Sequence, residues 1–281
     1  MKNKGIIPIN KPNGWTSFDV VNKLKYKLKP LKVGHLGTLD PMATGVLLVT
    51  VGKATKLFDL MQEKEKSYIA TFEFGYLTNT LDSTGELIDK CENIPTKQQI
   101  LDILPKFVGK INQIPPKYSA KSINGRRAYD LAREGVDFEL KSKLVHIYDI
   151  QLLSFNDKSI QLEIRCGSGT YIRSIGRDIA QELNSLATMT SLVRTKVGNI
   201  NLNNCFDVQN IENVHEHILP INEFLTYEKL EVSDEQKFKL LNGQTLILGE
   251  TDGIYQLIDD LDTVALVEIK ENKAKMLVFL G

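Results

Sequence analysis

The sequence predicts an α+β protein, and three features predict it. Two segments, Lys66 to Gly75 and Ile160 to Cys166, alternate apolar and polar residues with the period of a half-buried strand. Two others carry helical stripes instead: Val20, Val21, Leu24 and Leu28, then Ile172, Ile175, Ile179 and Leu183. After about Thr226 the pattern changes to one short helix and several short strands, which reads as a separate small β-rich domain. The expected division is therefore residues 1–226 and 227–281.

The elements follow in order. Ile6 to Ile9 reads as a short strand before the turn Lys11-Pro12-Asn13-Gly14. Thr16 or Ser17 can cap the helix that follows, and Pro30 ends it. Gly34 to Pro41 reads as a loop, and Gly45 to Gly52 as a buried strand with many β-branched residues. In Lys66 to Gly75, Tyr68, Ala70, Phe72 and Phe74 share the apolar face. Thr96-Lys97-Gln98-Gln99 is a capping box for a helix reaching about Phe107.

Gln113-Ile114-Pro115-Pro116 cannot be helical. Lys117 to Lys143 is polar and basic with one short helical stretch near Arg127 to Arg133, a long excursion of the kind that usually has a function. Leu144 to Phe155 and Leu192 to Val197 complete the strands of the larger part. In the tail, Ser233 to Gln236 caps a helix that Gly243 ends, and strands are expected at 254–258, 263–269 and 275–280.

Composition bounds the chemistry. Hydrophobic residues make up 42% and charged residues 25% of 281, enough for a sizeable core without disulfides or structural metals. Cys91, Cys166 and Cys205 form no CxxC pair, and four scattered histidines complete no zinc pattern. A reduced, cytoplasmic setting is expected, with no signal peptide and no bilayer-spanning run. Net charge is zero, but its distribution is uneven. Eight lysines up to His35 face Asp19 alone, whereas the tail holds Glu250, Asp252, Asp259, Asp260 and Asp262. A polarised surface and a solvated lysine-rich helix face are equally good readings of that pattern.

Asp40 is the candidate of most interest. Pro41 pushes it to extended dihedrals, Gly34 and Gly37 allow close backbone approach to a ligand, and a buried strand follows. A carboxylate at the end of a rigid strand is well placed for catalysis. An isolated Asp-Pro pair is more often a plain turn.

The wider pattern changes that balance. The run Gly34-His35-Leu36-Gly37-Thr38-Leu39-Asp40-Pro41-Met42-Ala43-Thr44-Gly45-Val46-Leu47 resembles the catalytic motif of the TruB family of pseudouridine synthases. Four further runs resemble that family's other motifs: Asn10 to Ser17, Lys66-Ser67-Tyr68 with Phe74 to Gly85, Cys166 to Ser174, and Leu192-Val193-Arg194-Thr195. The resemblance spans roughly Gly5 to Thr226 and thins in the tail.

It implies a central, largely antiparallel sheet flanked by helices, with a small PUA-like domain at the C-terminus. It makes Asp40 the nucleophile, and Tyr68 the residue stacked on the target base and a candidate proton acceptor. It implies an ion pair between Arg173 and Asp40, pocket walls at Tyr171 and Leu192, support from Lys11, and contact of His35 with RNA around a flipped base. The 117–143 excursion is similar to an RNA-clamping insertion, with Lys121, Arg126 and Arg127 as phosphate ligands. The run Tyr118 to Tyr129 resembles the bacterial stand-alone form, which acts on uridine 55 of the tRNA T-loop. The implied partner is tRNA, bound through T-loop and stem by a monomer without guide RNA, membrane, metal or organic cofactor.

The residue types suit that chemistry. Isomerisation breaks an N-glycosidic bond, turns the base and rejoins it through carbon. An ionised carboxylate can divide this into easier steps, by attack on base or on sugar. In a dry pocket a lone Asp would be pushed toward its neutral form, and a guanidinium partner keeps it charged. An RNA-folding factor and a guide-dependent subunit are the competing readings. Retention of Asp40, Tyr68 and Arg173 weighs against the first, and the insertion with a short tail against the second.

Overall fold

The computed structural model describes residues 2–62, 64–123, 125–259 and 262–281. They divide into two compact units, one of residues 1–41, 45–63 and 198–281, the other of residues 42–44 and 64–197.

In the first unit the strand Gly5–Lys11 runs antiparallel to Thr44–Val51, with Ile7 opposite Val49 and Lys11 opposite Gly45. Its other edge takes Phe206–Asp207 in parallel. Helix Ser17–Lys27 starts at Thr16, whose hydroxyl accepts from the Asp19 amide while the Asp19 carboxylate accepts from the Thr16 amide. This reciprocal cap satisfies two donors that the first turn leaves over. Val20, Val21, Leu24 and Leu28 are buried, as their spacing predicts. The segment expected to be a loop from Gly34 to Pro41 is half strand: Val33–Leu36 pairs with Thr44–Val51, and His35 lies opposite Val49. Gly34 is therefore a strand residue, and a Cβ there would sit 3.2 Å from Thr50 Oγ1. Gly37 makes the turn out of the strand at φ 74°, where a Cβ is disfavoured.

The C-terminal segment of this unit forms its own five-stranded sheet. The order is Glu228–Lys229, Gly253–Asp259, Asp262–Lys270, Lys273–Phe279 and Leu246–Ile247. Helix Asp234–Leu241, capped by Ser233 with Gln236, lies beside a separate cluster of Leu240, Leu257, Val267 and Ile269. Of the acidic tail, Asp260 lies outside the described residues, and Asp262 pairs with Lys4 at 3.2 Å.

The second unit is built on an antiparallel sheet in the order Ala187–Val197, Lys66–Phe74, Ser159–Cys166, Lys143–Asn156 and Gly109–Gln113. Tyr68, Ala70, Phe72 and Phe74 are all buried on one face, so the predicted alternation holds. The last of the motif strands is longer than its apolar pattern suggests, beginning at Ala187. Helix Lys97–Ile103 has the expected Thr96–Gln99 capping box and tightens into a 3₁₀ turn at Leu104–Phe107, where Pro105 lies. The basic excursion holds a two-residue hairpin, Ser122–Ile123 with Arg126–Arg127, followed by helix Ala128–Arg133; Asn124 lies outside the described residues.

Helix Ile172–Glu182 packs on the buried face through Gly176, where an added Cβ would come within 2.2 Å of the Phe72 ring. No helix among the described residues is long and apolar enough to cross a membrane.

That contact yields a test. Gly176→Ala gains about 1 kcal/mol of helix propensity but forces an overpacking cost of about 1–3 kcal/mol. We expect a lower melting temperature in a thermal melt, restored in part by Phe72→Leu.

Candidate active site

Asp40 sits half-buried in the first unit, in the loop between the Val33–Leu36 and Thr44–Val51 strands. Its neighbours are fixed from outside the loop. The Lys11 ammonium donates to the carbonyls of Pro12 at 2.9 Å, Trp15 at 2.5 Å and Pro41 at 3.1 Å. The Gly14 amide donates to the same Pro41 carbonyl at 2.9 Å. Lys11 is fully buried on its strand, not a solvated turn residue. An ammonium has three protons and no acceptor, so three carbonyls answer the need that burial creates. His35 lies on the adjoining strand, three residues into Val33–Leu36.

Tyr68, Tyr171, Arg173 and Leu192 belong to the second unit. Tyr68 is buried in the sheet, flanked in register by Ile164 on one side and Arg194 on the other. Leu192 is opposite Ala70, which puts it on the same sheet face as Tyr68. Tyr171 precedes helix Ile172–Glu182, and its backbone is held by the buried Gln113 amide. Gln113 Oε1 accepts from the Tyr171 amide at 2.8 Å and Nε2 donates to its carbonyl at 3.2 Å.

Arg173 is buried in the first turn of that helix. Its guanidinium donates to the carbonyls of Thr80 at 2.8 Å and Tyr118 at 3.0 Å, and lies 3.6 Å from the Asp82 carboxylate. Asp82 is itself buried and accepts from the hydroxyls of Thr80 at 2.8 Å and Thr84 at 2.6 Å. The arginine thus draws the turn around Leu81 and the root of the basic excursion onto one helix end.

Among the described residues, two buried charged side chains, Asp82 and Arg194, are not marked by the sequence reading. Asp82 lies in a quoted motif, and its Thr-x-Asp-x-Thr setting is a self-bonding turn that could have marked it. Arg194 is almost fully buried opposite Tyr68. It follows Leu192 by two residues, so strand alternation could have put it on the inner face.

Burial, then the nearby Arg194 charge, pushes the Lys66 ammonium down to about 8, against a weaker raising influence of Cys166. Cys166, opposite Lys66 in the sheet, is pushed up to about 11 chiefly by burial.

The basic residues of the excursion are held within it. Lys121 donates to the Lys141 carbonyl at 3.2 Å, Arg127 to the Ala120 carbonyl at 2.6 Å, and Arg126 pairs with Glu134. Arg126 and Arg127 remain exposed. Among the described residues no group of three or more His, Cys, Asp or Glu could hold a metal ion.

These sheets and helices form the fold of the pseudouridine synthases. An archaeal box H/ACA sRNP Nop10–Cbf5 complex superposes with a TM-score of 0.74 at 20% identity, covering 99% of this chain and 86% of that one. At that identity the likeness concerns the fold alone. Sequence similarity is closer elsewhere. The tRNA pseudouridine synthase B of Fusobacterium nucleatum is 42% identical over 279 residues, 96% of each chain. That of Clostridium kluyveri is 43% identical over 85% of this chain and 84% of its own length. Residues 23–172 match the TruB family pseudouridylate synthase (N terminal domain). The chain belongs to the TruB family of pseudouridylate synthases and is accordingly an isomerase.

Two tests follow from the second unit. Asp82→Ala leaves the buried guanidinium without its carboxylate, and we expect a loss of about 3 kcal/mol in urea unfolding. Lys66 binds fewer protons folded than unfolded between pH 8 and the ordinary lysine value of 10.5. The penalty is therefore in full force below about pH 8 and is relieved as pH rises toward 10.5. Over that window the stability of the wild type should rise relative to Lys66→Met in matched unfolding titrations.

Proposed function

We propose that this chain converts uridine to pseudouridine in tRNA, at uridine 55 of the T-loop. The observation that carries the proposal is the near-full-length similarity to proteins named tRNA pseudouridine synthase B. The target base leaves its stack and enters the protein, because an enzyme cannot reach it within a folded loop. Asp40 is the nucleophile. Its carboxylate adds to base or sugar, the N-glycosidic bond breaks, the base turns, the new bond forms to carbon, and the bond to Asp40 breaks to return the free carboxylate. That carbon then gives up its proton, with Tyr68 the candidate acceptor. Arg173 pairs with Asp40 and keeps it ionised.

Three features support these roles. Lys11 and Gly14 hold the carbonyl that follows Asp40, which limits its freedom. Tyr68 is set in a strand rather than a loop, and Arg173 is locked by three acceptors. Preorganised groups of this kind are what a site needs to act without rearrangement. Tyr171 and Leu192 form walls of the base pocket, and His35 meets the RNA loop. Lys121, Arg126 and Arg127 of the excursion take phosphates.

The protein works as a stand-alone cytoplasmic monomer without guide RNA. Residues 227–281 are a PUA-like domain distinct from the catalytic residues 1–226, a division that their own sheet and core support.

The test uses purified protein and an unmodified tRNA transcript, with pseudouridine mapped by nucleotide. Wild type should modify position 55 with no partner present. Asp40→Asn should bind with similar affinity and lose product by at least about a hundredfold, in the range expected for loss of a nucleophile. Substantial turnover by Asp40→Asn would refute the nucleophile, and binding without product at position 55 by the wild type would sink the substrate assignment.

A further inference from the structure

The lysine cluster near the N-terminus is not used by the site as described. Helix Ser17–Lys27 carries its apolar stripe inward, yet its outward face is not simply polar. Phe18 and Tyr26 are 65% and 76% exposed, far more than aromatic side chains usually are. They stand eight residues apart, on one face of the helix, with Lys25 exposed beside Tyr26. Just past the helix end, the exposed Lys29 ammonium lies 5.1 Å from the Tyr26 ring centroid. At the other end Lys23 lies 5.6 Å from the Trp15 ring.

No acidic residue occurs between Val20 and Leu39, while that stretch holds Lys23, Lys25, Lys27, Lys29 and Lys32. Lys23 and Lys27 reach sideways to the carbonyls of Gln209 and Ile211, on the flank of the helix. Lys25, Lys29 and Lys32 are exposed. Asp19, the one acidic residue of the helix, is engaged in its cap.

The helix is also tied to the Asp40 loop. The buried Ser17 hydroxyl accepts from the Leu39 amide at 2.9 Å and donates to the Leu39 carbonyl at 3.2 Å. The exposed face therefore begins one residue from a side chain that holds the residue before Asp40. An eleven-residue helix extends about 16 Å from there.

The geometry points to this helix face as a surface for RNA: Lys25, Lys29 and Lys32 contact the phosphates of the strand leading away from the Asp40 loop, and Tyr26 stacks on one of its unpaired bases. Exposed aromatics interleaved with lysines are what single-stranded nucleic acid requires, since every base has a face to stack and every nucleotide a charge. This rests on the RNA-modifying reading given above.

The experiment uses the full chain and an unmodified tRNA transcript, with affinity followed by fluorescence anisotropy across a salt series. The variants are Lys25→Gln with Lys29→Gln, and Tyr26→Ala. All three positions are exposed, so melting temperatures should match wild type. The double variant should flatten the salt dependence by about 1.5 in slope. Tyr26→Ala should weaken binding about tenfold at every salt concentration. Single-turnover product formation at saturating enzyme should be retained by both.

Wild-type affinity and slope in both variants would overturn the surface. An unchanged Tyr26→Ala with a flattened double variant would overturn the stacking contact. Sedimentation provides a further arm. If wild type self-associates and Tyr26→Ala disperses it with RNA affinity unchanged, the face covers a second copy and the proposal fails. Failure of wild type itself to bind or modify tRNA would be distinct, and would remove the functional reading instead.

Discussion

A buried ammonium is the constraint on which the Asp40 loop depends. Lys11 is fully removed from water, and a buried charge is tolerable only if its protons are all answered. It is answered by carbonyls of Pro12, Trp15 and Pro41, which belong to two irregular segments far apart in sequence. Neither segment has a strand ladder to occupy its carbonyls, so the lysine serves as their common partner. The turn that launches the first helix and the residue after Asp40 are bound to one point. Pro41 adds a second restriction by excluding helical dihedrals at Asp40. The carboxylate is thus held by its backbone on the C-terminal side before any partner of its side chain is considered.

The second unit repeats the device with a different cation. Arg173 collects the carbonyls of Thr80 and Tyr118 and the carboxylate of Asp82. These come from the turn around Leu81 and from the root of the basic excursion. A guanidinium suits this task better than an ammonium would, because its planar fork reaches acceptors in several directions at fixed angles. The difference has a consequence for chemistry. A lysine can lose its proton under desolvation, as Lys66 tends to, but an arginine does not. The charge that Arg173 brings to the buried Asp82 carboxylate is therefore permanent.

Local rules made much of this legible. The capping boxes expected at Thr96–Gln99 and Ser233–Gln236 both form, and of the two cap candidates for the first helix it is Thr16 that caps, because a cap is decided within four residues. The period-two pattern placed Tyr68 on the buried face for the same reason. What escaped was decided by distant partners. Lys11 reads as the start of a Lys-Pro turn, and nothing nearby in sequence announces that Pro41 will meet it. His35 and Gly34 read as loop because a four-residue strand becomes a strand only by pairing with Thr44–Val51. Arg194 could have been placed on the inner face by alternation from Leu192, but only the sheet order sets it beside Tyr68.

Net charge was the least informative number in the sequence, and the structure shows why. Positive and negative residues cancel in the sum, but they are spent differently. Near the chain start, Lys4 is paired with Asp262, and Lys2 donates to the Ile218 carbonyl. Those charges have been turned inward, as ties between the first strand and the C-terminal part of the same unit. The lysines from the helix onward meet no acidic residue in their own segment, and Lys25, Lys29 and Lys32 stay in water. Opposite charges that pair at short range have little field left to act at a distance, whereas unpaired like charges in a row add theirs. A chain with zero net charge can thus still present a polyanion with a local positive ridge, and here that ridge leads from the loop that carries Asp40.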